Sequence, residues 1–115
     1  MMNAYNQTRQ TSIVGNVEKA ASTLRRMKGL LGKKSMPENY GLWITPCQSI
    51  HTFFMRFPID VIFLSPDLHV VKIFPSIEPF RLSSWVHSAQ SALELASGTI
   101  ANSGTQVGDQ VEFRS

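Results

Sequence analysis

The sequence predicts a mostly β, α+β fold. The expected form is a compact antiparallel β sandwich or partly open barrel, with one N-terminal helix and a short C-terminal helical turn. Three observations predict it. Apolar residues recur at helical spacing only before Gly32. From Tyr40 onward the apolar runs are short, rich in β-branched and aromatic residues, and separated by turn residues. The densest run, Ile59–Leu64, is apolar at nearly every position, so both of its faces need cover.

The bulk numbers agree with one folded domain. The chain has 115 residues, 43% hydrophobic and 17% charged, enough to bury a core without staples. A net charge of +3 permits anionic partners without demanding one. A single cysteine excludes an intramolecular disulfide. No run approaches the roughly 20 apolar residues of a spanning helix. Residues 1–10 lack the apolar core of a secretory signal, so a cytoplasmic location is expected.

Residues 1–11 are polar and without period, and are expected to be a flexible arm before a single domain over 12–115. Ser12–Val17 is a short first strand. A helix is expected from Glu18 to Lys28, because Ala20, Leu24, Met27 and Leu31 fall on one helical face. Glu18 at its start and Arg25, Arg26 and Lys28 near its end suit the helix dipole, and Gly29 and Gly32 are stop signals. Residues 33–39 read as a loop. Tyr40–Thr45 is a strand stopped by Pro46, and Ile50–Met55 is another, broken by Phe57-Pro58. Ile59–Leu64 is the strongest strand. Ser65-Pro66-Asp67 turns it into Leu68–Phe74, a hairpin. Pro75 and Pro79 confine the chain beyond Phe74 to an edge or a loop, and Leu82–Ser88 has no clear pattern. Ala92–Leu95 is a short strand, and residues 97–104 hold a helical turn. Val107–Asp109 turns into a last strand, Gln110–Phe113. No internal repeat is present.

Three residue sets carry possible chemistry. Cys47, His51 and Met55 are spaced by four, and on a helix would offer soft ligands to an ion such as Cu(I). The bracketing Pro46 and Pro58 and the intervening aromatics argue for extended chain instead. There four residues span roughly 13 Å, and only a turn at Gln48-Ser49 brings Cys47 and His51 to one ion. A buried thiol, a hydrogen-bonded histidine and a core methionine are the favoured reading, with no metal and no cofactor. His51, Asp60 and Glu94 could set a carboxylate behind an imidazole as a general base, but no nucleophile accompanies them. A buried carboxylate needs hydrogen bonds or a cation, and Arg56 and Arg81 are at hand. Lys19, Arg25, Arg26, Lys28, Lys33 and Lys34 form a basic cluster without interleaved aromatics, which reads as a solvated face and not a specific nucleic-acid site. Gly104, Gly108 and Asp109 match no phosphate loop.

Taken in series, four segments carry a resemblance: Arg26–Gly32, Gly41–Ile44, Cys47–Met55 and Pro58–Leu64. With Ala92–Leu95, Gly98-Thr99 and Val107–Asp109 behind them, they resemble the uncharacterised bacterial family called domain of unknown function 192, over roughly Ile13 to Phe113. The resemblance implies a small β-rich domain of sandwich or barrel character and brings no activity, cofactor or catalytic residue with it. Many relatives carry Phe-Trp-Met-Lys-Asn near the position of His51–Phe57, keeping the methionine without the cysteine and histidine. Others carry an export signal.

These residues point to a non-enzymatic binding or accessory module for an unknown small ligand or protein partner. Its pocket is expected where His51, Met55 and Arg56 approach Asp60 across the Phe57-Pro58 reversal, with Glu94 beside them and Phe53, Phe54 and Trp43 as apolar walls. The alternative is an enzyme or soft-metal protein using Cys47, His51, Met55 and Asp60. A competing role for Asp60 is a structural clamp on the Pro58 turn through backbone hydrogen bonds.

Overall fold

The structure is a computed structural model and describes residues 2–20, 35–37, 39–53 and 55–115. Among the described residues, seven strands form one sheet: β1 (Met2–Asn6), β2 (Thr11–Ala20), β3 (Tyr40–Ile44), β4 (Ile59–Leu64), β5 (Val70–Ile77), β6 (Ser91–Ala96) and β7 (Val111–Arg114). A short helix, α1 (Thr99–Ser103), lies between β6 and β7. The strand order is β5-β4-β6-β3-β2-β1-β7. Every pair is antiparallel except β2 with β3, which run parallel.

The sheet curls into a half-barrel. Its edge strands meet at one end, where Val70 N–H donates to the Asp109 carbonyl (2.8 Å) and Val111 N–H to the Leu68 carbonyl (2.8 Å). Curvature also brings Trp43 of β3 onto Phe113 of β7 across two intervening strands, with ring centroids 4.1 Å apart. Alternation along the strands sorts the core between two faces. The concave inner face holds Ala4, Val14, Val17, Ile62, Leu64, Leu93, Leu95 and Val111, and Ile100 of α1 plugs it. The convex outer face holds Leu42, Ile44, Ile59, Val61, Phe63 and Ala92. Both faces of β4 are therefore covered, as its near-continuous apolar run requires, and all six of its residues are buried.

Several expectations change. The flexible arm over 1–11 is not one: Met2–Asn6 is β1, held between β2 and β7 because its amides complete both ladders and Ala4 enters the inner core. The helix expected from Glu18 begins in a strand. Glu18, Lys19 and Ala20 extend β2, paired with Leu42, Trp43 and Ile44, and Ala20 packs in the outer core. Residues 21–28 of that helix lie outside the described residues. The strand over Ile50–Met55 reduces to one bridge, His51 with Leu82. Here backbone groups bond to a second irregular segment and the sheet is not extended. The C-terminal helical turn is α1, ended by Gly104 in the left-handed conformation (φ 70°), where its N–H caps the Ala101 carbonyl.

Phe63 is fully buried and packs edge-on against Phe74, with centroids 5.8 Å apart. Phe63→Ala should cost about 3–5 kcal/mol in denaturant unfolding. A loss below about 1 kcal/mol would mean that the outer core closes over the vacancy.

Candidate functional site

Two segments without regular strands, residues 46–58 (of which 54 lies outside the described residues) and 78–90, lie against each other over the outer face as an irregular ribbon. Their backbones bond across at intervals. Cys47 N–H donates to the Gln90 carbonyl (2.9 Å), Val86 N–H to Gln48 (2.8 Å), Ser83 N–H to Ile50 (2.9 Å) and Thr52 N–H to Arg81 (2.9 Å). Thr52 is fully buried and is the hub. Its carbonyl accepts from the Phe80 N–H (2.9 Å), its hydroxyl donates to the Glu78 carbonyl (2.6 Å), and the same oxygen accepts from the Arg81 N–H (2.9 Å).

The ribbon has two sides. Cys47, Ile50, Met55, Phe57 and Ala89 point inward and complete the outer core. Phe53, Phe80, Leu82 and Trp85 point outward, 40%, 60%, 69% and 59% exposed. The half-buried His51 ring stacks on Phe53 at 5.1 Å, and Trp85 meets His87 edge-on at 6.4 Å. Arg56 and Arg81 are exposed on the same ribbon, and Glu78 lies 3.6 Å from the Arg81 guanidinium. A hollow of about 360 Å³ lined by Pro46, Cys47, Gln48, Trp85, Ala89 and Gln90 adjoins it.

The structure divides the expected site set. His51, Met55 and Arg56 are on the ribbon. Asp60 is not with them. It is paired with Leu95 and shares the inner face with Ile62 and Leu64. Strand alternation sends Met55's core partners Ile59 and Val61 to the other face. The expected approach of His51 to Asp60 therefore does not form. Trp43 also turns inward, onto Phe113, and is no wall of this surface. Phe54 lies outside the described residues.

Asp60 is a clamp, though not on the Pro58 turn. One carboxylate oxygen accepts the Ser76 N–H (2.8 Å) and the other the Ile100 N–H (2.8 Å). Ser76 has φ 50° at a break in the β4–β5 register, so the bulge leaves its amide outside the ladder and Asp60 takes it. The second bond ties the first turn of α1 to β4.

Glu94 is buried on the outer face, paired with Val61 and Leu42. Its neighbourhood is acidic. The Tyr40 hydroxyl donates to Glu18 at 2.5 Å, and burial, that hydrogen bond and the charges of Glu18 and Glu94 push the phenol's pKa well up. A groove of about 750 Å³ runs here, lined by Met2, Asn16, Val17, Glu18, Lys19, Pro37 and Tyr40. Among the described residues no three His, Cys, Asp or Glu side chains gather as a metal site. No described helix is long and apolar enough to cross a membrane. Of the basic cluster, Lys19 stands on β2 over the Trp43 ring, 5.1 Å from its centroid. The other five lie outside the described residues.

The family model for DUF192, described as "Uncharacterized ACR", matches residues 4–113. The chain belongs to the DUF192 family. UPF0127 protein PH1112 of Pyrococcus horikoshii is 31% identical over 113 residues, covering 94% of this chain and 96% of the relative. A UPF0127 protein of Thermococcus sibiricus is 31% identical over 114 residues, covering 94% and 72%. Both are archaeal, whereas the resemblance implies a bacterial family. Among solved structures, a protein of unknown function from Novosphingobium aromaticivorans superposes with a TM-score of 0.75 at 20% identity, covering 96% of this chain and 82% of that one. A proposed transcription regulator from Sinorhizobium meliloti 1021 gives 0.73 at 20% identity, covering 97% and 91%. These likenesses show the fold of this DUF192 domain.

Sequence reasoning missed Thr52, Phe80, Leu82 and Trp85. The available signal was three large apolar residues in an aperiodic stretch between Pro79 and Ser88, where no core pattern called for them.

The buried carboxylates can be tested separately. Asp60→Asn puts an N–H₂ against one of two donor amides and should cost about 1–3 kcal/mol by denaturant titration. An unchanged midpoint would remove the clamp. Asp109 is the second case. Burial raises its pKa, but hydrogen bonds from Arg9 (3.1 Å), Asn6 (3.0 Å) and the Gln106 amide (2.9 Å) outweigh that and hold it below the ordinary carboxylate value. A depressed folded-state pKa gives stability that is full above the unfolded value and is lost as pH falls through the folded one. The stability gap between wild type and Asp109→Asn should therefore narrow below about pH 4. A gap that stays constant from pH 7 to about pH 2 would contradict this.

Proposed function

We propose that this DUF192 domain is a non-enzymatic binding module and that its recognition surface is the outer side of the ribbon around His51. The carrying observation is the outward exposure of Phe53, Phe80, Leu82 and Trp85 on one ribbon whose inner side is well packed. Large apolar side chains favour removal from water, and four of them exposed on one pair of cross-bonded segments support a recognition surface. The ribbon's cross-bonds give the group a framed support, so little ordering is left for the binding step. Met55 and Phe57 anchor that support from beneath, and His51 extends the surface through its stack on Phe53.

A surface kept for binding contributes little to folding. Phe80→Ser, Leu82→Ser and Trp85→Ser should each change the unfolding free energy by less than about 0.5 kcal/mol, while retention on a phenyl matrix drops. Losses above about 2 kcal/mol would make these side chains part of the core and end this reading.

A further inference from the structure

We propose that the outer side of the ribbon seats on a lipid bilayer bearing anionic headgroups, which rests on the reading of the ribbon as a docking surface. The side chains are of the right kind. A tryptophan, two phenylalanines and a leucine project from irregular chain, and aromatic side chains favour the boundary between water and the acyl layer. Part of the backbone beneath them is already hydrogen-bonded. The amides of Cys47, Ile50, Thr52, Phe80, Arg81, Ser83 and Val86 already have acceptors within the ribbon, so approach to an apolar layer strands none of these donors.

Charge selects the headgroup. Arg56 and Arg81 are exposed on the same two segments as the apolar residues, and the Glu78 carboxylate lies 3.6 Å from Arg81. The carboxylates Glu18, Asp67 and Glu112, which also reach solvent, belong to β2, the β4–β5 turn and β7. The two ribbon segments thus carry two arginines against one carboxylate, a small cationic excess beside the exposed aromatics. An anionic surface draws in such a patch and needs no matching relief, unlike a folded partner.

The test is co-sedimentation of the full chain with vesicles of phosphatidylcholine alone and with about 30% phosphatidylserine. Binding to the anionic vesicles is expected, weakened by salt, with a blue shift of the tryptophan emission. Phe80→Ser with Leu82→Ser and Trp85→Ser should abolish it, with folding checked by circular dichroism. Arg56→Gln with Arg81→Gln, both at exposed positions, should weaken binding by at least about fivefold and flatten its salt dependence. No binding to either vesicle overturns the proposal, and so does binding that ignores both headgroup charge and the arginine pair. If vesicles fail and the chain instead self-associates through a step lost in the triple variant, the occupant is a second copy. The lipid proposal is then wrong while the docking surface stands. Failure of the docking surface itself would register separately, as lost stability in the single serine variants.

Discussion

Asp60 is the point on which the rest of this fold turns. A charged group within a strand buried on both faces is costly unless its oxygens are hydrogen-bonded. Both are, and by amides that need an acceptor for their own reasons. The bulge in β5 leaves the Ser76 amide outside the ladder, and the first turn of α1 has amides with no partner inside the helix. One carboxylate therefore closes three local deficits at once. It joins β4, β5 and α1, and so places Ile100 in the mouth of the half-barrel.

The inner face then explains the outer one. With α1 filling the concave side and the β5 and β7 edges meeting at Val70 and Asp109, the convex side of β4, β6 and β3 remains to be covered. The ribbon covers it. Regular strands would add a second sheet, but residues 46–58 and 78–90 bond to each other irregularly through Thr52 and Ser83. Their packing is satisfied on one side by Cys47, Ile50, Met55 and Phe57. Leu82 and Trp85 stand outside that core, on the solvent side.

Much of the sheet was legible in the sequence because strand alternation and β-branched runs are local signals. Ile59–Leu64 announced its own burial, and residues 97–104 announced a turn of helix. Met2–Asn6 gave no such signal, since a polar edge segment becomes a strand only when two partners supply its ladders. Glu18–Ala20 misled for a related reason. Ala20 fits a helical face in the sequence, but pairing with Ile44 decides its state, and that contact is long-range. The site was harder still. His51, Met55 and Asp60 are close in sequence, yet a single residue of parity sends Asp60 to the opposite face. Parity through an irregular segment such as 50–58 cannot be counted from the sequence.

The contrast between the two polar regions bears on where function resides. Around Asp60 and Asp109 the carboxylate oxygens are taken up by amides and by Arg9, and such groups serve the fold. Around Tyr40, burial and the negative charges of Glu18 and Glu94 raise the phenol's pKa beside a groove, which makes it a poor proton donor near neutrality. The ribbon differs from both. Much of its backbone bonds across the ribbon, and among the side chains it exposes are Phe53, Phe80, Leu82 and Trp85 with Arg56, Arg81 and Glu78. A protein that only needed cover for Val61 and Phe63 could have used serine or lysine at the positions of Leu82 and Trp85 with little effect on folding. Their exposure is what the proposed docking role accounts for, since the packing beneath them does not call for large apolar side chains.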